Sequence, residues 1–118
     1  MKPTNLLLLL LLCFIACKNK QQEIRPEKFD RVKWMETNGL EHPYRERMLQ
    51  DLIDNYTLKG LNAKEVFNLL GEPDRTDDGH LFYTVVKKYF ANVYPIYTRT
   101  LVIKLRSDST VEWRKIHG

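Results

Sequence analysis

The clearest pattern in the chain is a complete helical segment between Gly60 and Asp74. Its apolar residues recur three and four positions apart, so one face of this helix must be buried. They are Ala63, Val66, Phe67, Leu69 and Leu70. Asn62, with Glu65 three residues later, predicts a capping box at the start of the helix, and Gly71 followed by Pro73 predicts its end. A helix of about nine residues is unstable alone in water, so other elements must pack against it.

A second helix is predicted from Pro43 to Tyr56, again with a single apolar stripe. The stripe consists of Met48, Leu49, Leu52, Ile53 and Tyr56. Asp51 and Asp54 lie one turn apart on the opposite face, but Arg47 precedes Asp51 by four residues. That spacing favours a solvent-exposed ion pair over a catalytic or metal-binding pair of carboxylates.

The segment before this helix, from Phe29 to Glu36, mixes aromatic and basic side chains. One interpretation is a basic and aromatic collar that lies against lipid head groups. The other is a short helical turn that folds back over an exposed edge of the domain. We favour the helical turn, because tryptophan in a small domain usually contributes to packing.

After Pro73 the apolar period changes from helical to alternating, which predicts three strands at 81–86, 99–106 and 110–116. In the second strand Leu101, Ile103 and Leu105 share one face, and in the third Val111 and Trp113 do so. For the first strand the pattern does not decide whether Leu81, Tyr83 and Val85 or Phe82, Thr84 and Val86 face inward. Alternation defines these two faces of the strand but does not say which of them is buried.

The polar link Ser107–Ser109 is short enough to join the last two strands as an antiparallel hairpin. Two amphipathic helices followed by three strands predict an α+β fold, because each helix needs an apolar partner and the sheet has one face to offer. The expected arrangement is αα-βββ, with two N-terminal helices packed on one face of a three-stranded antiparallel sheet.

The first residues resemble an export signal. Lys2 is followed by eleven apolar residues from Leu6 to Ala16, too few to span a bilayer, and then by Cys17 and a polar stretch. The tetrapeptide Phe14-Ile15-Ala16-Cys17 resembles a bacterial lipobox. We therefore expect a lipoprotein signal peptide at 1–16, a lipidated Cys17 with a tether to residue 27, and one domain at 28–118.

The composition argues against several classes of functional site. Cys13 would leave with the signal peptide and Cys17 would carry lipid, so we expect neither a disulfide nor a cysteine nucleophile. The formal charge of +4 falls to +3 with the loss of Lys2, which is too small an excess to argue for nucleic acid. The two serines, Ser107 and Ser109, share one link, and His42, His80 and His117 are scattered. We expect no enzyme, cofactor, metal or small-molecule substrate.

The acidic residues Asp74, Asp77 and Asp78 before Gly79 lack the spacing of a calcium loop, so we interpret them as a turn.

Two candidate contact surfaces remain. One is the outer sheet face with Lys104, Arg106 and Arg114, which could meet anionic lipid or an acidic protein and is more often only solvated.

The other candidate is the link from Lys87 to Tyr97, which is rich in aromatic residues: Tyr89, Phe90, Tyr94 and Tyr97. Aromatic residues are enriched where proteins meet partners, which favours a recognition loop. The alternative is that this link simply continues the first two strands and packs its aromatic residues on the helices. The sequence leaves both interpretations open.

Gly60-Leu61-Asn62, Glu65-Val66, Leu69-Leu70-Gly71 and Pro73, with the later strand Leu101 to Leu105, resemble the outer-membrane lipoproteins called BamE, SmpA or OmlA. The resemblance implies a β-lactamase-inhibitor-protein-like fold and an outer-membrane location facing the periplasm. It also implies anchoring through lipid on Cys17. We expect a non-enzymatic module that binds an unidentified envelope protein, with an accessory role in outer-membrane assembly. The alternative is an inhibitor of a lysozyme or β-lactamase, suggested by the shared fold alone.

Overall fold

The computed structural model describes residues 25–91 and 93–118, without the side chains of residues 90 and 94–96. The predicted signal peptide and residues 17–24 of the predicted tether lie outside this part. Within it, three short helices precede four strands. They are α1 (Arg31–Met35), α2 (Arg45–Asn55), α3 (Ala63–Leu70), β1 (Arg75–Asp77), β2 (His80–Phe90), β3 (Tyr94–Leu105) and β4 (Val111–His117).

The predicted αα-βββ arrangement is wrong in the number of elements, because the described residues form three helices and a four-stranded sheet. The additional helix, α1, has five residues, which is too short for a helical period to be visible in the sequence. The additional strand, β1, has three residues that are all exposed, so it shows no alternation of apolar and polar residues.

The four strands form an antiparallel meander in the order β1-β2-β3-β4. Asp78 and Gly79 join β1 to β2 with φ angles of 47° and 73°. Positive φ at both central residues is typical of the two-residue turns that close hairpins, and Asp-Gly is a preferred sequence for them. The acidic stretch therefore contains a turn, as predicted, but this turn also creates a strand pair.

The predicted hairpin at Ser107–Ser109 is confirmed by the pairing of β3 with β4. A register shift follows Lys104, so that Lys104 pairs with Trp113 and Leu105 with Val111. Cross-strand partners lie on the same face of a sheet. Val111 is therefore inward with Leu105, whereas Trp113 is outward with Lys104, and the prediction that they share a face is wrong because Glu112 is an extra residue between them.

The core lies between the helices and one face of the sheet. Leu81, Tyr83 and Val85 are the buried residues of β2, which resolves the choice that alternation left open. They pack with residues from all three helices and the neighbouring strands: Trp34, Met48, Leu49, Leu52, Val66, Leu70, Leu101, Ile103 and Val111. The burial of Trp34 agrees with the interpretation of residues 29–36 as a short helical turn used for packing.

The capping signals of α3 are confirmed. The Glu65 backbone N–H donates to the Asn62 side chain at 2.9 Å, and the Asn62 N–H donates to the Glu65 carboxylate at 3.1 Å. At the other end Gly71 has a φ of 78°, and its N–H donates to the Phe67 carbonyl. The Tyr83 hydroxyl donates to the Gly71 carbonyl at 2.8 Å, so this helix end is tied to the middle of β2.

Candidate functional site

A two-stranded arm extends beyond the four-stranded sheet. β1 pairs only with residues 80–82 of β2, and β4 pairs only with residues 100–105 of β3. The segment between these limits, residues 86–99, pairs within itself, from Val86 with Arg99 to Phe90 with Tyr94. We call residues 86–99 the arm. The predicted link from Lys87 to Tyr97 is therefore part of the sheet, and the alternative of continuing strands describes its backbone correctly.

That alternative had also required the aromatic residues of the arm to pack on the helices, and the two whose side chains are described, Tyr89 and Tyr97, do not. Tyr89 and Tyr97 are 42 % and 40 % exposed, and Val93 in the turn is 67 % exposed. Aromatic side chains are enriched on surfaces where proteins meet partners, so the arm is a candidate contact surface.

The arm is also cationic. Its residues include Lys87, Lys88 and Arg99 and no aspartate or glutamate. The Lys87 Nζ lies 5.4 Å from the centre of the Tyr89 ring, and the Lys88 Nζ lies 5.9 Å from that of Tyr97. Both distances fall within the range of cation–π contacts, so each lysine is held beside an aromatic ring with its charge exposed.

A cleft of about 690 Å³ opens where the arm leaves the domain. One wall is the tight turn Asn38–Glu41, closed by hydrogen bonds between these two residues, with Leu40 fully exposed at its tip. The other wall is β2, which contributes residues 84–87 and Tyr89. We call this space the edge cleft. His42 and Asp74 lie where the two walls meet.

Beside the edge cleft lies a buried arginine. Arg45 is 2 % exposed, and its guanidinium donates to the Trp34 carbonyl at 2.9 Å, the Asp74 carboxylate at 3.0 Å and the Thr84 carbonyl at 2.9 Å. It also lies over the Trp34 ring, 4.9 Å from the centroid. Burial lowers the pKa of Arg45 and the Asp74 carboxylate opposes that shift. The arginine thus joins α1, α2 and β2 at one point.

Asp74 completes this junction. Its carboxylate accepts the Thr84 backbone N–H at 2.6 Å and lies 3.2 Å from the His42 Nε2. Nearby, burial raises the pKa of the Tyr83 hydroxyl above its ordinary value of 10.0, and Arg45 opposes the shift. The Thr84 N–H and carbonyl point away from β3, and Thr84 lies just beyond the residues of β2 that pair with β1. Side chains bond both of these backbone groups in place of a neighbouring strand.

The opposite face of the sheet carries a shallower cleft of about 340 Å³. The Arg75 guanidinium lies 4.0 Å from the centre of the Phe82 ring, and His80 contacts both Phe82 and Trp113 with ring centroids about 6 Å apart. In the described residues no helix covers this face.

The structure places the predicted site residues in three separate regions. Tyr89 and Tyr97 lie on the arm, as do the backbones of Phe90 and Tyr94, whose side chains are not described. Lys104 lies on the outer face of the sheet, and Arg106 follows the end of β3. Arg114 pairs with the buried Ile103 and so lies on the opposite face from Lys104, which means that the three cations do not form one patch. Cys17 is outside the described residues.

Sequence reasoning missed Arg45, His42, Asp74 and Leu40 as parts of one site. Arg45 could have been found, because it precedes Met48, Leu49 and Leu52 by three, four and seven residues and so lies on the buried stripe of its helix. No local signal identifies the partners of Arg45, because Asp74 and Thr84 are 29 and 39 residues away.

Among the residues that the structure describes, no group of three or more histidine, cysteine, aspartate or glutamate side chains is arranged to hold a metal ion. Over the same residues no helix is long and apolar enough to cross a membrane. Comparisons of the chain with family models, curated proteins and solved structures found no match.

Proposed function

We propose that this protein is a lipid-anchored module of the bacterial envelope that binds another envelope protein through its arm and the adjoining edge cleft. The observation that carries the proposal is the arm itself. Two strands project from the domain with Tyr89, Val93 and Tyr97 exposed along them, and three cations accompany these residues. A projecting hairpin that leaves these side chains exposed contributes little to folding, so its composition is better explained by contact with a partner.

The location rests on the sequence. A basic start, a short apolar run and Ala16-Cys17 favour lipidation of Cys17, and the resemblance to BamE-type lipoproteins favours the outer membrane and the periplasmic side. Around ten residues separate Cys17 from Glu27, whose backbone N–H bonds to the Arg47 carbonyl at the start of α2. Such a tether reaches roughly 30 Å when extended, which would keep the domain close to the membrane. An accessory role in outer-membrane assembly is part of this proposal.

Anchoring is tested by comparing Cys17→Ala with Cys13→Ala in cells that produce the protein. We expect Cys17→Ala to abolish incorporation of labelled palmitate and to release the protein from the membrane fraction. Cys13→Ala changes the other cysteine and should leave both unchanged. Equal palmitate incorporation by the two variants would refute lipidation at Cys17.

Partner binding is tested with a photo-crosslinking amino acid placed at Val93 or Tyr97, and at Lys64 on α3 as the control position. We expect the two arm positions to crosslink the same envelope protein and Lys64 not to do so. Replacing Tyr89 by Ser should abolish the crosslink from Val93 while the domain stays folded. Crosslinking at Lys64 but not at the arm would contradict the proposal.

The inhibitor alternative has a separate readout. If the purified protein inhibits a lysozyme or β-lactamase at stoichiometric concentration, and the arm variants do not, the partner is a hydrolase and the assembly role is wrong.

A further inference from the structure

The edge of β2 along the arm has no neighbouring strand on the side of β1. The last pair between these two strands is Arg75 with Phe82, and Pro73 shortly before it cannot donate a ladder hydrogen bond. Beyond Thr84, the part of the chain that the structure describes places no strand beside residues 86–90. An unpaired strand edge is a template for another chain.

Side chains satisfy the outward backbone groups of this edge at one residue, Thr84. At Thr84 the Asp74 carboxylate accepts the N–H, and Arg45 donates to the carbonyl, so two side chains replace one residue of a neighbouring strand. Arg45 is buried and bonded to three groups, so this replacement is rigid. The outer edge of β2 is therefore bonded as far as Thr84. Beyond it, residues 86–90 have no strand beside them in the described part of the chain, so this edge can accept one.

The edge cleft follows this open edge. Thr84 and Val85 both line it although Val85 is buried on the core side of β2 and Thr84 points to the opposite side, and a register shift interrupts the alternation between Thr84 and Val86. A space lined by consecutive residues runs along the edge of the strand rather than over one face. The turn Asn38–Glu41 forms the opposite wall, and its exposed Leu40 offers an apolar contact to whatever enters.

Charge indicates the occupant. Lys87, Lys88 and Arg99 lie on the arm without an acidic residue among its members, and Asp74 at the end of the cleft is already paired with Arg45. An acidic extended segment would match these cations. A second copy pairing edge to edge would bring Lys87 and Lys88 of both arms together, and like charges across a strand pair are unfavourable.

We propose that β2 accepts a fifth strand at residues 86–90, contributed by an acidic extended segment of the partner protein. Main-chain hydrogen bonds would supply affinity, and alternate side chains would contact Lys87 and Tyr89 on one face of the arm and Lys88 on the other. This inference rests on the proposed function and identifies the chemistry of the partner. It assigns the turn Asn38–Glu41 the role of holding the added strand against β2.

The test uses the full-length protein in detergent and three synthetic seven-residue peptides. The first alternates glutamate with valine, the second alternates lysine with valine, and the third has the first sequence with every backbone nitrogen methylated. We expect the first to bind and to slow hydrogen exchange of amides in residues 86–90. The other two should bind about tenfold more weakly or less, because they lack the charge or the main-chain donors.

Two charge-reversal variants with the same change in net charge complete the design. K87E/K88E should lose the preference for the glutamate peptide, whereas K64E/K115E, on α3 and β4, should keep it. The proposal is overturned if the methylated peptide binds as well as the unmethylated one, or if no peptide protects these amides. It is equally overturned if the same amides are protected without peptide in a dimeric protein, which would make a second copy the occupant. In each case crosslinking from Val93 and Tyr97 still reports separately on partner binding.

Discussion

Arg45 is the residue that connects the most elements of this protein. It bonds to Trp34 of α1, Asp74 before β1 and Thr84 of β2, and it does so from the first turn of α2. A charge at this depth is costly unless all its partners are present. The three acceptors and the Trp34 ring satisfy it, so the cost of desolvation is offset only when the helices and the sheet have assembled correctly.

Replacing Arg45 by Met is expected to lower the free energy of unfolding by about 3 kcal/mol, because the Trp34 and Thr84 carbonyls lose their donor and Asp74 loses its counter-ion. Urea denaturation measures the change. Arg47→Met is the matched control, since the Arg47 side chain is half exposed and its guanidinium pairs with Glu27 at the surface, and its effect should stay within about 0.5 kcal/mol. Equal effects of the two substitutions would show that the buried network does not stabilise the fold.

Gly71 is constrained in a different way. Its φ of 78° disfavours side chains, and a Cβ there would lie 2.7 Å from the Met35 Sδ. Gly60 also has a positive φ, of 90°, but a Cβ there would meet nothing within 4 Å. The two glycines separate the conformational requirement from the packing requirement.

We therefore expect Gly71→Val to lower the free energy of unfolding by about 2 kcal/mol and Gly60→Val by about 1 kcal/mol. Thermal denaturation of both variants measures the difference. An unchanged midpoint for Gly71→Val would contradict its assignment as the end of α3, and a smaller effect than that of Gly60→Val would exclude a contribution from Met35.

At the scale of elements, the approach to α1 is tied to α2 by Asp51. The Phe29 backbone N–H donates to the Asp51 carboxylate at 2.7 Å, and the Asn55 amide donates to it at 2.6 Å. These hydrogen bonds, the first above all, lower the pKa of Asp51 below its ordinary value of 3.8. The pair that sequence reasoning interpreted as Arg47 with Asp51 is thus replaced by a backbone bond that positions Phe29 against Trp34 and Tyr56.

A carboxyl group whose pKa is lower in the folded state stabilises the fold above its unfolded pKa, and this stabilisation is lost as pH falls through the folded pKa. Asp51→Asn should therefore make stability less dependent on pH below about pH 4. Denaturant titrations at a series of acidic pH values measure this slope. Asp54→Asn removes a carboxylate one turn away that bonds to Gln50, and leaves the Phe29 bond in place. If both variants reduce the slope equally, the Phe29 bond is not its cause.

At the scale of the whole molecule, we expect the domain to provide stability and the arm to provide binding. Tyr83 is fully buried under Arg45, whereas Tyr89, six residues further along the same strand, is 42 % exposed. β2 therefore passes from the core to the surface between these two residues. Stability should therefore depend on Tyr83 and binding on Tyr89.

The variant Tyr89→Ser is expected to change the free energy of unfolding by less than about 0.5 kcal/mol, whereas Tyr83→Ser should lower it by about 3 kcal/mol. Urea denaturation of both variants tests the division. Comparable losses would mean that the arm is part of the core, which would remove the main support for its role in binding.

The local signals were sufficient where a structure is decided by neighbours in the sequence. Asn62, Glu65 and Gly71 define α3, because capping bonds and positive φ act within a few residues. The link Ser107–Ser109 likewise specifies the last hairpin. Asp78-Gly79 was equally informative for the first hairpin, and β1 was missed because its three exposed residues have no apolar pattern.

Other features depend on contacts that no local pattern encodes. Which face of β2 is buried, the separation of Lys104 from Arg114, and the meeting of Arg45 with Asp74 and Thr84 all follow from strand register and packing across the fold. A single extra residue, Glu112, moves Trp113 to the other face of the sheet, because the side-chain period of a strand is two. The arm and its open edge also depend on the tertiary structure, because they exist only where β1 and β4 do not extend along residues 86–99.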